Sequence, residues 1–260
     1  MRQATTRESY DEQWRELGDF IRYNPGARHR RRLVGRILRA ITFESVLDVG
    51  CGPGEMLLWM KEAFPDARTL WGADFAPETI ARNTERMPWA HFQTLDVERE
   101  RIDRQFDLVL CSEVVEHLHD RPAAIRNLAA MVSPGGHLLI TCPTGPMFPT
   151  ERYFGHVSHP TADELRTRGA DGGLDTVRYA HWGWPVYAMT KRLTNLWPEF
   201  ALRQFGQGSY SWPKRLVNHG LYLLNFANLP NAPAGCQLFW LYRKPADAGG
   251  MRSIGEKRSA

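Results

Sequence analysis

The stretch Val46-Leu-Asp48-Val-Gly50-Cys51-Gly52-Pro-Gly54 carries the clearest chemical signal in the chain: an aspartate within a run of β-formers, then three glycines at alternate positions. Val46, Leu47 and Val49 favour a strand, and the glycines let the backbone turn sharply and approach a ligand that any Cβ would push away. Residues 55–64 read as the helix that follows, so its unpaired N-terminal amides face the same spot and favour a polar or anionic group. Dinucleotide loops space their glycines as G-x-G-x-x-G, whereas here they fall as G-x-G-x-G with Asp48 two places ahead of the first. A second acid, Asp74, stands at the tip of the next short strand, across the crevice, where a carboxylate can accept both hydroxyls of a ribose. Its alternative role is to cap the helix that begins at Pro77-Glu78-Thr79. His156 and His159 are the candidates for proton transfer, because imidazole titrates nearest to neutral pH. They follow a Pro- and Gly-rich loop, 143–149, that leaves the carboxyl end of the fifth strand, which is the ligand side of an open α/β sheet. Read as one extended segment, the loop sets both histidines on one face; each could instead brace the helix that starts near Thr161.

The elements that would hold these groups alternate between strand and helix. Apolar runs at 46–49, 69–73, 90–94, 106–111, 137–142, 175–179 and 235–242 read as strands, with 106–111 continuous enough for the centre of a parallel sheet. The expected fold is a doubly wound, seven-stranded, mostly parallel α/β sheet spanning 44–244. Ahead of it, residues 1–43 form a helical lead: Trp14, Leu17, Phe20 and Ile21 recur at helical spacing, Asn24-Pro25-Gly26 breaks the pattern, and a second helix covers 28–41. Ser133-Pro-Gly-Gly136 reads as a turn, and Thr161 with Glu164 as a capping box. An insertion at about 182–233 is rich in Trp182, Trp184, Tyr187, Trp197, Phe205, Tyr210 and Trp212 and reads as a helical cap, while 245–260 is polar and expected to be disordered.

Taken in order from Val46 to Pro143, these motifs resemble the class I S-adenosylmethionine-dependent methyltransferases. Ser112-Glu113-Val-Val-Glu116-His117-Leu after the fourth strand resembles the ubiquinone- and menaquinone-biosynthesis type, as does Gly155-His156-Val-Ser-His159 through Glu164-Leu165. The resemblance implies a Rossmann-like fold and S-adenosyl-L-methionine as cofactor. Gly50, Cys51, Gly52 and Gly54 would pass under its amino-acid end, fixed by Asp48. Asp74 and Phe75 would meet the ribose, Asp96 and Val97 the adenine, and the backbone at Ser112 and Glu113 the methionine end. His117 is expected to be structural. The lead would cover the cofactor, with Tyr10, Trp14 and Tyr23 as candidate cover residues. The implied reaction moves a methyl group in line to a hydroxyl, amine or carbon nucleophile of a small, hydrophobic or ring-bearing acceptor under the aromatic cap, chiefly by orientation and exclusion of water. For a hydroxyl acceptor the general base is His156, with His159 as the alternative.

Composition narrows the partners. The net charge of +4, from 33 basic and 29 acidic residues, falls short of a nucleic-acid signature. The fourth strand also lacks the Asn-Pro-Pro-aromatic run that clamps a flipped base, so no nucleic acid is expected. A nucleic-acid or protein methyltransferase on the same fold, or a non-catalytic cofactor-binding protein, are the rival readings. The four cysteines show no C-x-x-C spacing and the acids after the fourth strand do not form a magnesium cluster, so no metal is expected. The N-terminus has no signal-like apolar core, which points to the cytoplasm. Arg28-His29-Arg30-Arg31-Arg32 reads as the solvated face of a helix or as a phosphate- or lipid-binding patch. Residues 216–229 read as a core or cap helix or as an interfacial one, which leaves contact with a membrane surface open.

Overall fold

In the computed structural model, residues 6–206 and 208–246 are described. The lead comprises α1 (Arg7–Leu17), α2 (Phe20–Tyr23) and α3 (Pro25–Leu38). Asn24 breaks the helical pattern between α2 and α3, and it also opens α3: its side chain accepts from the amide of Ala27, with Pro25 at the first helical position. Proline there gives up only an amide that had no intrahelical partner, so the helix starts three residues earlier than its apolar spacing indicates.

The alternating body then runs β1 (Ser45–Val49), α4 (Glu55–Ala63), β2 (Thr69–Asp74), α5 (Pro77–Arg86), β3 (His91–Thr94), β4 (Phe106–Ser112), α6 (Arg121–Ala130) and β5 (Val132–Pro143). It continues with α7 (Pro149–Tyr153), α8 (Ala162–Asp171) and β6 (Asp175–Trp182). The insertion supplies α9 (Val186–Thr194), α10 (Pro198–Phe205) and α11 (Trp212–Leu224), and β7 (Gln237–Arg243) closes the chain. The seven strands form one sheet in the order β3-β2-β1-β4-β5-β7-β6, with β7 antiparallel to both neighbours. Adjacent residues of β1 serve opposite layers, as the period of two requires: Val46 packs with Leu57, Met60 and Leu38 on one face, Leu47 and Val49 with Ile125 and Leu128 on the other. Strand order reverses between β1 and β4, which places a crevice beyond their carboxyl ends.

Two local expectations change. Ser133-Pro-Gly-Gly136 is not a turn before the strand but an irregularity within β5, where the pairing with β4 shifts register between Phe106 and Leu108. Gly135, at φ +80°, donates to the carbonyl of Lys244, and Lys244 donates back to Gly136, so the turn residues are absorbed by pairing with the end of β7. The capping box at Thr161 closes by half: its hydroxyl accepts from the amide of Glu164, but the Glu164 carboxylate turns away to Arg121 at 3.0 Å.

Lead and cap meet at one seam. Gly208 donates to the carbonyl of Glu16 and its own carbonyl accepts from Asp19, at 2.9 and 3.1 Å. Gly18 has φ +47°, and a Cβ there would lie 2.5 Å from the Gly208 oxygen, so both the backbone conformation and the space demand glycine. Cys51, Cys111 and Cys142 are buried and, like Cys236, unbridged. The expected tail falls outside the described residues from 247 onward.

Candidate active site

The crevice widens into a cavity of ≈ 570 Å³ between the strand tips, the lead and the inner faces of the cap helices. Of the residues expected around the cofactor, Asp48, Gly50, Cys51, Asp74 and Phe75 line it from β1 and β2. Asp96, Val97, Ser112 and Glu113 line it from beyond β3 and β4. Gly52 and Gly54 do not: they shape the loop. Gly54 adopts the left-handed conformation that opens α4, and the Gly52 amide donates to Asp74 at 2.7 Å while its carbonyl accepts from Asn83. A Cβ on Gly52 would lie 2.9 Å from the Trp14 ring, so the lead rests directly on the loop.

Asp74 is fixed by the Gly52 and Ala76 amides, and it does not cap α5. That role belongs to Asp11 of α1, which is buried and accepts from the amides of Glu78 and Thr79 and from the Thr79 hydroxyl. A helix dipole and two orphan amides are thus satisfied from 68 residues away. Tyr10 and Trp14 line the cavity; Tyr23 does not, and stacks instead on Tyr210.

Burial, with the charge of Asp74 added, pushes the Asp48 carboxyl up to about 8. A buried acid on the cavity wall is one that a cation placed in the cavity would hold ionised. Glu113 leaves β4 with φ +61°, a conformation disfavoured for a side-chain-bearing residue. It is held there by Arg30 at 2.9 Å, Gln237 at 2.7 Å and the Thr141 hydroxyl at 3.2 Å.

Opposite the loop sits a cluster that the sequence revealed only in part. His117 meets the Tyr10 hydroxyl at 3.3 Å, and its ring lies 4.7 Å from that of His156. His156 faces the cavity. His159, three residues on, lies off the cavity wall, and the expectation that both share one face fails because side chains of an extended chain alternate with a period of two, so an odd spacing separates them. The Nδ1 of His159 lies 3.0 Å from the carbonyl of Gly145, and its Nε2 lies 3.2 Å from the Nδ1 of His156. Glu151 stands 3.5 Å from His159 and forms a buried ion pair with Lys191. Glu116 is fully buried, and neither carboxylate oxygen has a hydrogen-bond partner. Burial holds Glu116 protonated, pushes His117 down to about 4, and, with His117, His159 and Lys191 alongside, pushes His156 down to about 2. Glu116 was legible in the Glu-Val-Val-Glu-His run; Glu151 and Lys191 had no local signal. The triads Glu116–His117–His156 and Glu151–His156–His159 each bring metal-ligand atoms within 4.8 Å of one another, a donor set the sequence reading did not anticipate.

A family model described as a methyltransferase domain matches residues 13–208. The chain belongs to that family of methyltransferase domains. It is similar to the trans-aconitate 2-methyltransferase of Methylobacterium radiotolerans, 29% identical over 126 residues that cover 47% of this chain and 48% of the relative. It is also similar to that of Azoarcus sp., 26% identical over 182 residues, 69% and 70% of the two chains. The chain spans about half the length of several of the curated relatives it matches. Among solved structures, the N-methyltransferase NodS of Bradyrhizobium japonicum in complex with S-adenosyl-L-homocysteine superposes with a TM-score of 0.57, 20% identity and coverage of 92% and 97%. The [4+2]-cyclase SpnF superposes with a TM-score of 0.58, 18% identity and coverage of 85% and 81%. A cyclase on the same scaffold shows why the acceptor chemistry must be argued from the site.

Proposed function

We propose that this enzyme methylates a hydroxyl group of a small, largely apolar acceptor, with His156 as general base and His159 as the residue that positions it. S-adenosylmethionine supplies an electrophilic methyl group on its sulfonium. The observation that carries the reading is the order of contacts from Gly145 through His159 to His156. A carbonyl only accepts, so the Nδ1 of His159 bears the hydrogen; burial keeps this ring neutral, so its Nε2 accepts from the Nδ1 of His156. The Nε2 of His156, a residue that lines the cavity, then carries the lone pair. As the acceptor oxygen forms its new bond, that nitrogen takes the hydroxyl proton while the Nδ1 proton of His156 passes to His159. The resulting positive charge rests 3.5 Å from Glu151, which offsets the reluctance of His156 to hold it.

The relatives' names point to a carboxylate acceptor, which needs no base but does need free cations. Arg30, Arg31 and Lys191 line the cavity, yet each stands beside an acid: Glu113 at 2.9 Å, Glu55 at 3.9 Å and Glu151. Phe20, Ile21, Leu202, Phe205 and Leu221 complete a largely apolar wall, which suits a ring or chain better than a polyanion.

The test is release of S-adenosylhomocysteine with a panel of hydroxylated ring and chain acceptors beside trans-aconitate. His156→Ala should lower turnover about 10²–10⁴-fold with cofactor affinity retained. The wild-type rate should stay flat from pH 8 to 6, because the acid limb lies below the ordinary histidine range. Turnover of trans-aconitate alone, unaffected by His156→Ala, overturns the proposal. So does loss of activity on chelation with recovery on adding a divalent ion, which would make His156 a ligand.

A further inference from the structure

α11 is folded with its faces reversed. Asn218 and Asn225, two turns apart, are buried and line the cavity, whereas Trp212, Leu216 and Leu223 project outward at 75%, 62% and 55% exposure. The other cap helices likewise expose apolar side chains, whatever the character of their inner faces. α9 turns Tyr187, Thr190 and Thr194 to the cavity and leaves Met189 and Leu193 exposed; α10 turns Ala201, Leu202 and Phe205 inward and leaves Phe200 exposed. Three helices whose inner faces share one cavity present their outer faces away from it, and here those outer faces are apolar. Single exposed apolar residues are ordinary, but a whole cap with its apolar side outward marks a surface made to be covered.

Charge says by what. Outside the cavity, the segment 182–233 carries Arg192, Arg203, Lys214 and Arg215 against Glu199 alone, and in the flanking segment 20–43, which has no acid, Arg22, Arg36 and Arg39 are exposed. Arg28 stacks over Tyr222 at 3.8 Å and Arg32 over Phe226 at 4.3 Å, which ties the arginine helix α3 to the rim of the apolar face. A second copy of the chain would bring like charges together. Exposed Trp and Leu with Lys and Arg at their edge are instead the composition that enters the boundary between acyl chains and headgroups of an anionic bilayer. Among the described residues no helix is long and apolar enough to cross a membrane, so such contact is peripheral.

We propose that the outer face of the α9–α11 cap docks on anionic lipid surfaces. The surface contact stands apart from the hydroxyl-methylation reading. Flotation with vesicles of phosphatidylglycerol and phosphatidylcholine, and with phosphatidylcholine alone, tests it. The protein should float with the anionic vesicles, less so as salt rises, and weakly with neutral ones. Leu216→Glu with Leu223→Glu, both remote from the cavity, should lower partition roughly tenfold or more while S-adenosylhomocysteine binding is unchanged. Arg192→Glu with Arg203→Glu should remove the preference for anionic lipid. Failure to float with either vesicle overturns the proposal, as does flotation that the leucine variants leave intact. A dimer that Leu216→Glu dissolves, without vesicle binding, assigns the face to a second copy.

Discussion

The two walls of the cavity are built on different principles. The cofactor wall is stitched by backbone: the Gly52 amide and carbonyl, the Ala76 amide and the first turn of α5 are tied by Asp74, Asn83 and Asp11. The acceptor wall is stitched by side chains to side chains, with Glu151 joining Lys191 and His159, and His159 joining His156. Backbone partners are present whatever the neighbouring residue types, so the first wall suits a ligand that does not vary. A wall of mutually dependent side chains can be retuned, and it fails when one member is lost.

The sharpest way to break that contrast is at Glu151. Glu151→Ala leaves the Lys191 ammonium buried without its partner and should destabilise the protein by about 3–5 kcal/mol in urea unfolding. Adding Lys191→Met should recover most of the loss, because an apolar pair of similar volume avoids burying charge. If the double variant is no better than the single one, the acceptor wall does not depend on the pair. Asp11→Ala removes a cap supplied by another helix and should cost about 2 kcal/mol, read as a lower denaturation midpoint together with weaker cofactor binding. A change in stability alone would show that the lead does not organise the loop.

The smallest effect is a proton. With no cation beside it, Asp48 is mostly protonated at neutral pH, and a bound ammonium group requires the carboxylate. Cofactor binding at pH 7 should therefore release about one proton, fading as pH rises through about 8. Calorimetry in buffers of different ionisation enthalpy measures it, and Asp48→Asn should abolish it. The linkage to folding has the matching sign. The raised pKa of Asp48 gives stability that is full below about 4 and is lost as pH rises through about 8, whereas the depressed pKa of His117 costs stability as pH falls from about 6.5 to about 4.

Much of the cofactor wall could be read from the sequence because its signals are local. The glycine spacing, an acid at a strand tip and an apolar run before Ser112 each specify their own geometry within a few residues. Asp11 could not be read in this way, since nothing about an aspartate in an amphipathic helix reveals that it caps another helix. Nor could the hold on His159, which depends on where Gly145 places its carbonyl. The direction of α11 was the deepest omission. Periodicity shows that Trp212, Leu216 and Leu223 share a stripe, but the stripe is the same whether it faces a core or the outside. The opposite stripe, with Asn218, Leu221 and Asn225, is the one that lines the cavity.

The seam between Gly18 and Gly208 sets the modularity of the enzyme. Two peptide groups nearly two hundred positions apart in the chain join the lead to the cap, so the cavity is ringed by one continuous collar. A chimaera that exchanges the cap to change the acceptor must therefore carry its own lead with it, and a chain trimmed before α2 would leave the collar open on the side where Gly208 needs the Glu16 carbonyl.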